Sequence, residues 1–318
     1  MDSPGDARRP EPSAGPPRRN ARYTPLAAPG PLPAEMVRAV PAIGRDPLSY
    51  LERLVARYGD LVAFPMPRGA VLLVNDPDGA RRLLQDNPRN YSKRTVQYAS
   101  LAAVTGQGLL TSDGDAWRSH RGLLQPAFHH GELSGFGAGA VQAGEALRAE
   151  WDDAPGGVLD TDATVMRTML ALVGRTLFGA DLGPEGRRIV PAVDAALQVL
   201  VRRARSPVPA SWPTPSRRRL LRAVRVLDGA CADLIASRRR SGPPRAEGGD
   251  LLDLLLRTAD AGGLTAAEVR DEIVTMVIAG YETVASSLTW TLGLLAAHPA
   301  VQDDLATELD DVLAGRPP

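Results

Sequence analysis

The 318-residue sequence contains one cysteine, Cys231, and one lysine, Lys93. A lone cysteine excludes an intrachain disulfide, a multi-cysteine zinc site and a cysteine-held iron–sulfur cluster. Net charge is missing as well. The 37 Lys and Arg balance 37 Asp and Glu, which leaves no global attraction for nucleic acid or an anionic membrane. No apolar run approaches the ~18 residues that span a bilayer, and residues 1–33 lack the apolar region of a signal peptide. A soluble, cytoplasmic protein without a membrane anchor is the expectation. The four histidines, His120, His129, His130 and His298, have no metal-site spacing. The preference for arginine over lysine reads as codon composition.

Glycine and proline are plentiful, at 31 and 28 residues. Prolines recur so densely through residues 1–33 that no helix can propagate, and this segment is expected to be a disordered tail. Apolar residues at helical spacing predict a helix over Asp46–Tyr58, stopped by Gly59. Leu61–Phe64 and Ala70–Val74 read as a hairpin around Pro65–Gly69, and Asp76-Pro77 opens a short helix to about Leu84. Asn87–Thr111 is polar, glycine-containing and aperiodic, and is read as a long functional loop. Helices follow over Trp117–Gln125, Phe136–Trp151, Thr161–Phe178, Pro184–Arg205, Pro215–Arg240, Asp250–Thr258, Thr265–Ala297 and Pro299–Leu313. The result is one mainly α domain over residues 34–318 with a small β element near its start.

Two segments carry chemistry. The longest helix opens with a capping box, Thr265 and Glu268, and can run to His298-Pro299. Its middle reads Ile278-Ala279-Gly280-Tyr281-Glu282-Thr283. Ala279, Gly280 and Thr283 are three and four residues apart, so two small side chains can leave a notch on one face. The Thr283 hydroxyl can bond back to the Ala279 carbonyl, and Glu282 places a proton-relay carboxylate beside it. The same small residues also suit close helix–helix packing. The second segment is Asp113-Gly114-Asp115-Ala116-Trp117-Arg118-Ser119-His120-Arg121, with Asp115 the expected N-cap. Trp117 and Arg121 share a face and are pure donors that suit a carboxylate, although an amphipathic surface helix gives the same pattern. His120 lies about 100° away around the helix.

In this order, the segments resemble a cytochrome P450. The family's helix C carries W-x-x-x-R, matched by Trp117 and Arg121, within a longer likeness over Trp117–Phe128. Its helix I carries A-G-x-[DE]-T, matched by Ala279, Gly280, Glu282 and Thr283. Tyr58–Val62, Leu294–Pro299 and Val301–Leu313 resemble the flanks, so the likeness runs from about residue 35 to 318, helix A through helix J. The resemblance implies a mainly α P450-like fold and a haem cofactor. Its implied haem-binding residues are Trp117 and Arg121 with His120 beside them, and its implied dioxygen-handling residues are Ala279, Gly280, Glu282 and Thr283. The implied reaction is insertion of one oxygen atom from dioxygen into an apolar small molecule. Electrons would come from a ferredoxin- or flavodoxin-type partner. Apolar content in Asn87–Thr111 (Tyr98, Leu101, Val104, Leu109, Leu110) and in Val199–Pro215 (Val201, Trp212) agrees with an apolar substrate.

Two family motifs are not matched: the helix K E-x-x-R beyond helix I, and the haem loop with its axial cysteine. The strings Glu145–Arg148 and Glu185–Arg188 lie upstream of helix I and read as surface pairs, and Cys231 stands among none of the loop's glycines. The expectation is therefore a C-terminally truncated P450 domain without the axial thiolate, inactive alone. The alternative is a catalytically dead P450-like scaffold that binds and stabilises a partner protein.

Overall fold

The computed structural model describes residues 28–66, 69–128, 130–182, 186–204, 214–245 and 249–316. The expected tail up to residue 27, the tip of the hairpin, His129, Glu185 and the 205–213 stretch with Trp212 lie outside the described residues. The chain divides into two compact units, residues 1–91 and 92–318.

In the first unit, helices α1 (Pro33–Arg45) and α2 (Pro47–Tyr58) pack on a two-stranded antiparallel sheet. Its strands are β1 (Leu61–Met66) and β2 (Gly69–Val74), in register Leu61↔Val74 to Met66↔Gly69. Strand alternation turns Val62 and Phe64 inward, where they join Leu54 in a small core. Asp46 caps α2 by accepting the Ser49 N–H at 3.1 Å. Helix α1 has no counterpart in the sequence reading, because Pro41 lies inside it and breaks the expected pattern. Nor do residues 28–33 belong to a loose tail. The Pro29 carbonyl accepts the Ala63 N–H at 2.9 Å, and a Cβ on Gly30 would stand 2.0 Å from the Ala63 oxygen. Here β1 gains a partner for its outer edge. Beyond β2, α3 (Pro77–Arg81), capped by Asp76, continues as one π turn over Arg82–Asp86.

The second unit is helical. Its elements are α4 (Val96–Thr105), α5 (Gly114–Leu124), α6 (His130–Asp152), α7 (Thr161–Phe178) and α8 (Gly186–Ala204). They are followed by α9 (Pro215–Arg240), α10 (Leu251–Asp260), α11 (Ala266–Ala297) and α12 (Pro299–Leu313). Helix α4 corrects the reading of Asn87–Thr111 as a loop throughout. Thr95 caps α4 and Gly106, at φ +69°, ends it. The N-cap of α5 is Asp113, not Asp115. Asp113 accepts from Gly114 N–H and also from the Ser92 hydroxyl and Lys93 N–H, bonds that Asp115 does not make. Those bonds hold the Asp113 carboxyl below its ordinary pKa, the Ser92 hydroxyl most of all.

The core is built along α7 and α11, which pack lengthwise. Val165, Leu170 and Phe178 meet Ile273, Val274, Val277 and Ile278 in one buried cluster. Helix α11 has 32 residues, so it is about 48 Å long. Its capping box forms as expected, with Thr265 Oγ1 accepting from Glu268 N–H at 3.2 Å and Glu268 accepting from Thr265 N–H at 2.8 Å. It ends at His298, where Pro299 starts α12 after a 110° bend. Among the described residues, no single helix is long and apolar enough to cross a membrane. At the far end of α7, Arg238 ties three helices together, donating to the Phe178 carbonyl at 2.7 Å and pairing with Asp250 and Asp253.

Candidate functional site

Thr283 and Ala279 stand on an exposed face of α11, and the Thr283 hydroxyl donates to the Ala279 carbonyl at 2.8 Å. That bond ties up the donor of Thr283 and leaves its oxygen free to accept. Thr283, Val284, Ser287, Leu288 and Thr291 line an open groove of about 410 Å³. Glu282, half-buried, is next to this face. Tyr281 points the other way, fully buried, and burial pushes its phenol pKa far up. Gly280 departs from the expected arrangement. A Cβ there would come to 3.1 Å from Val173 Cγ2, so the glycine serves the close approach of α7 rather than the groove. The small-residue notch is therefore Ala279 and Thr283, with Gly280 turned to the core.

On α5, Trp117 is half-buried and Arg121 exposed, with the guanidinium 5.9 Å from the indole centroid. A second cation joins them from the segment before α4. Lys93 Nζ stands 5.7 Å from the Trp117 ring and 5.8 Å from the Tyr98 ring. It donates to the Leu109 and Leu110 carbonyls at 3.2 and 3.0 Å, and burial lowers its pKa. Among the described residues, no carboxylate pairs with Lys93 Nζ or Arg121. An indole, a guanidinium and an ammonium thus stand together; among the described residues neither cation forms an ion pair, and Asp113, bonded to the Lys93 backbone N–H, acts on the ammonium only through its charge. Lys93 escaped the sequence reading, since a solitary lysine carries no pattern.

His120 does not join that cluster. It is buried, its Nδ1 lies 2.5 Å from Glu272 Oε1, and its Nε2 is 3.9 Å from Glu268 Oε1. Both ring nitrogens face α11. Glu272, with no solvent exposure, also accepts the Leu109 N–H at 3.2 Å through Oε2. Burial raises its pKa, opposed by the Leu109 amide and His120. Its neighbour Asp271 accepts the Gln107 N–H at 2.7 Å. The segment between α4 and α5 therefore lies against α11, and two glycines make this possible. A Cβ on Gly106 would fall 2.0 Å from the Asp271 carboxylate, and one on Gly108 would fall 2.4 Å from Thr275 Oγ1. Glu272 and Thr283 are eleven residues apart, close to three full turns, so they share a face about 16 Å apart. The structure gathers Ala279, Glu282 and Thr283 in one group and Trp117, Arg121 and Lys93 in another. No described cavity holds both.

Cys231 is buried on α9 among Leu227, Leu234, Ile273 and Val277, and burial pushes its thiol up to about 12. A thiol in that setting stays protonated and behaves as a small apolar side chain. Among the described residues, no group of His, Cys, Asp and Glu is placed to hold a metal ion.

Comparison with known proteins shows the family. Residues 28–318 match the family model for cytochrome P450. The chain is 34% identical to cyclooctat-9-en-7-ol 5-monooxygenase of Streptomyces melanosporofaciens, over 97% of this chain and 66% of that protein. It is 33% identical to pentalenene oxygenase of Streptomyces avermitilis, over 88% of this chain and 63% of the relative. Cyclooctatin synthase of S. melanosporofaciens is 30% identical, over 95% and 65%. The chain thus spans 63–66% of the length of these relatives. With the mainly α architecture and the family model matched over residues 28–318, the chain belongs to the cytochrome P450 family.

Proposed function

We propose that the protein is a haem-thiolate monooxygenase, and that this segment supplies its propionate-binding and dioxygen-facing residues. The observation that carries the reading is the grouping of Lys93 and Arg121 about Trp117, with neither cation in an ion pair among the described residues. Two cations and an indole N–H suit the two carboxylates of a porphyrin edge. When bound, haem with an axial thiolate supplies the oxygen-activating chemistry. Trp117, Arg121 and Lys93 orient the carboxylate edge. Thr283, its hydroxyl hydrogen committed to Ala279, presents an oxygen that holds a water or a protonated neighbour at the groove, and Glu282 stands by to hold the next proton. The buried, protonated Cys231 is no thiolate donor, so we place the axial ligand outside these residues and expect residues 1–318 alone to be inactive.

The substrate is an apolar small molecule, in keeping with the alkenol and the pentalenene in the names of the relatives. The electron donor we assign is a soluble ferredoxin or flavodoxin. The test is reconstitution of the purified protein with haem, followed by reduction under carbon monoxide. A carbon monoxide-bound Soret band that is lost in Arg121→Ala supports the propionate-binding reading, whereas failure to take up haem favours a scaffold that stabilises another protein. In the active protein, Thr283→Ala should lower product formed per electron consumed by about tenfold or more.

A further inference from the structure

Three elements meet at Glu272, and the meeting determines where the cationic cluster stands. From α11, one carboxylate reaches His120 on α5 through Oε1 and the Leu109 backbone through Oε2. The carbonyls of Leu109 and Leu110 in turn receive Lys93 Nζ. His120 is adjacent to Arg121 and three residues from Trp117 on the same helix. Lys93 is thus two hydrogen bonds from Glu272 through Leu109, and Trp117 and Arg121 share the helix that His120 bonds to it. Among the described residues no other side-chain hydrogen bond joins α5 to α11, and Glu268 stands back at 3.9 Å from the ring.

We propose that Glu272, through His120 and Leu109, is a positioning residue that sets the Trp117–Arg121–Lys93 cluster at its distance from Thr283 along α11. A fully buried carboxylate is a costly way to join two helices that apolar side chains could join. What it adds is direction: two oxygens fix the azimuth of α5 and the height of the 106–110 segment together. The proposal rests on the monooxygenase reading for its purpose, but not for its geometry. Glu272→Gln can keep both bonds, accepting from Leu109 through Oε1 and donating from Nε2 to His120 Nδ1. Glu272→Ala keeps neither.

The experiment compares the purified wild-type protein with Glu272→Gln, Glu272→Ala, His120→Ala and Leu255→Ala. Leu255, fully buried on α10, is the control for general destabilisation. The first readout needs no haem: the Trp117 indole N–H cross-peak in a nitrogen–proton correlation spectrum, identified by its loss in Trp117→Phe. The second is the rate of haem transfer from the loaded protein to apomyoglobin. Glu272→Ala and His120→Ala should both displace the cross-peak and speed haem transfer by about tenfold or more, while Glu272→Gln stays within about twofold of wild type. Leu255→Ala should lower the melting temperature as much and leave the cross-peak in place. An unmoved cross-peak in both Glu272→Ala and His120→Ala overturns the proposal. So does a Leu255→Ala that moves it equally far. If the wild-type protein takes up no haem, the monooxygenase reading falls, and the cross-peak alone decides the positioning role.

Discussion

Helix α11 changes character along its length. Between Val269 and Ala285 it presents Ile273, Val274, Val277, Ile278 and Tyr281 to α7 and the core, each almost fully buried. Two of its carboxylates there, Asp271 and Glu272, accept from the backbone of the 106–110 segment. Beyond Ser287 the same helix carries Trp290 at 71% exposure and Leu294 at 56%. The first half is largely buried, while beyond Ser287 only one face, with Leu288 and Leu292, meets the core. Thr283 lies where these regimes meet, so a rigid buried stretch holds its backbone while its side chain faces an open groove. A site of this kind gains precision from the element that supports it rather than from its own contacts.

Four measurements would break or sharpen this contrast. Ile273→Ala should cost about 2–5 kcal/mol in urea denaturation, whereas Leu294→Ala should stay within about 0.5 kcal/mol. Equal losses would mean that the second half of α11 is packed too. Gly108→Ala places a Cβ 2.4 Å from Thr275 Oγ1 and should cost about 1–3 kcal/mol. Gly293→Ala, in the exposed half with nothing within 4 Å, should instead stabilise by about 0.5–1 kcal/mol. A third test concerns pH. Burial raises the Glu272 pKa above its ordinary 4.5, so the folded chain holds a proton that the unfolded chain has released. That contribution is present at low pH and is lost as pH climbs from 4.5 through the raised folded value. Glu272→Gln cannot titrate, so its urea midpoint should decline less over that interval than the wild-type midpoint. The smallest effect should come from Thr283→Ala, whose exposed hydroxyl bond is worth less than about 0.5 kcal/mol to the melting transition.

Much of this architecture was written in local signals. Thr265 and Glu268, with Pro299 at the far end, delimit α11 to within a residue, because a capping box and a proline act through neighbours in sequence. The hairpin and α7 are legible for the same reason. Helix α4 was hidden because Val96–Thr105 is apolar on most sides, so no 3.6-residue alternation survives. Asp113 and Asp115 compete for one cap, and the winner is decided by Ser92 and Lys93, whose approach no local pattern reveals. The site divides likewise. Thr283 and its bond to Ala279 follow from i,i+4 geometry. The turn of Gly280 toward Val173 depends on α7, and His120 meets Glu272 across 152 residues of chain. Lys93, Gly106 and Gly108 matter only once their tertiary neighbours are in place.

The singular lysine has one more consequence. Lys93 is the only side-chain amine in the chain, and its nitrogen is lodged against two carbonyls beneath an indole. An amine-selective acylating reagent therefore has a single side-chain address here, and its rate reads how often that address opens. Protection by an added dicarboxylate would turn the protein into its own reporter of occupancy, with no label introduced.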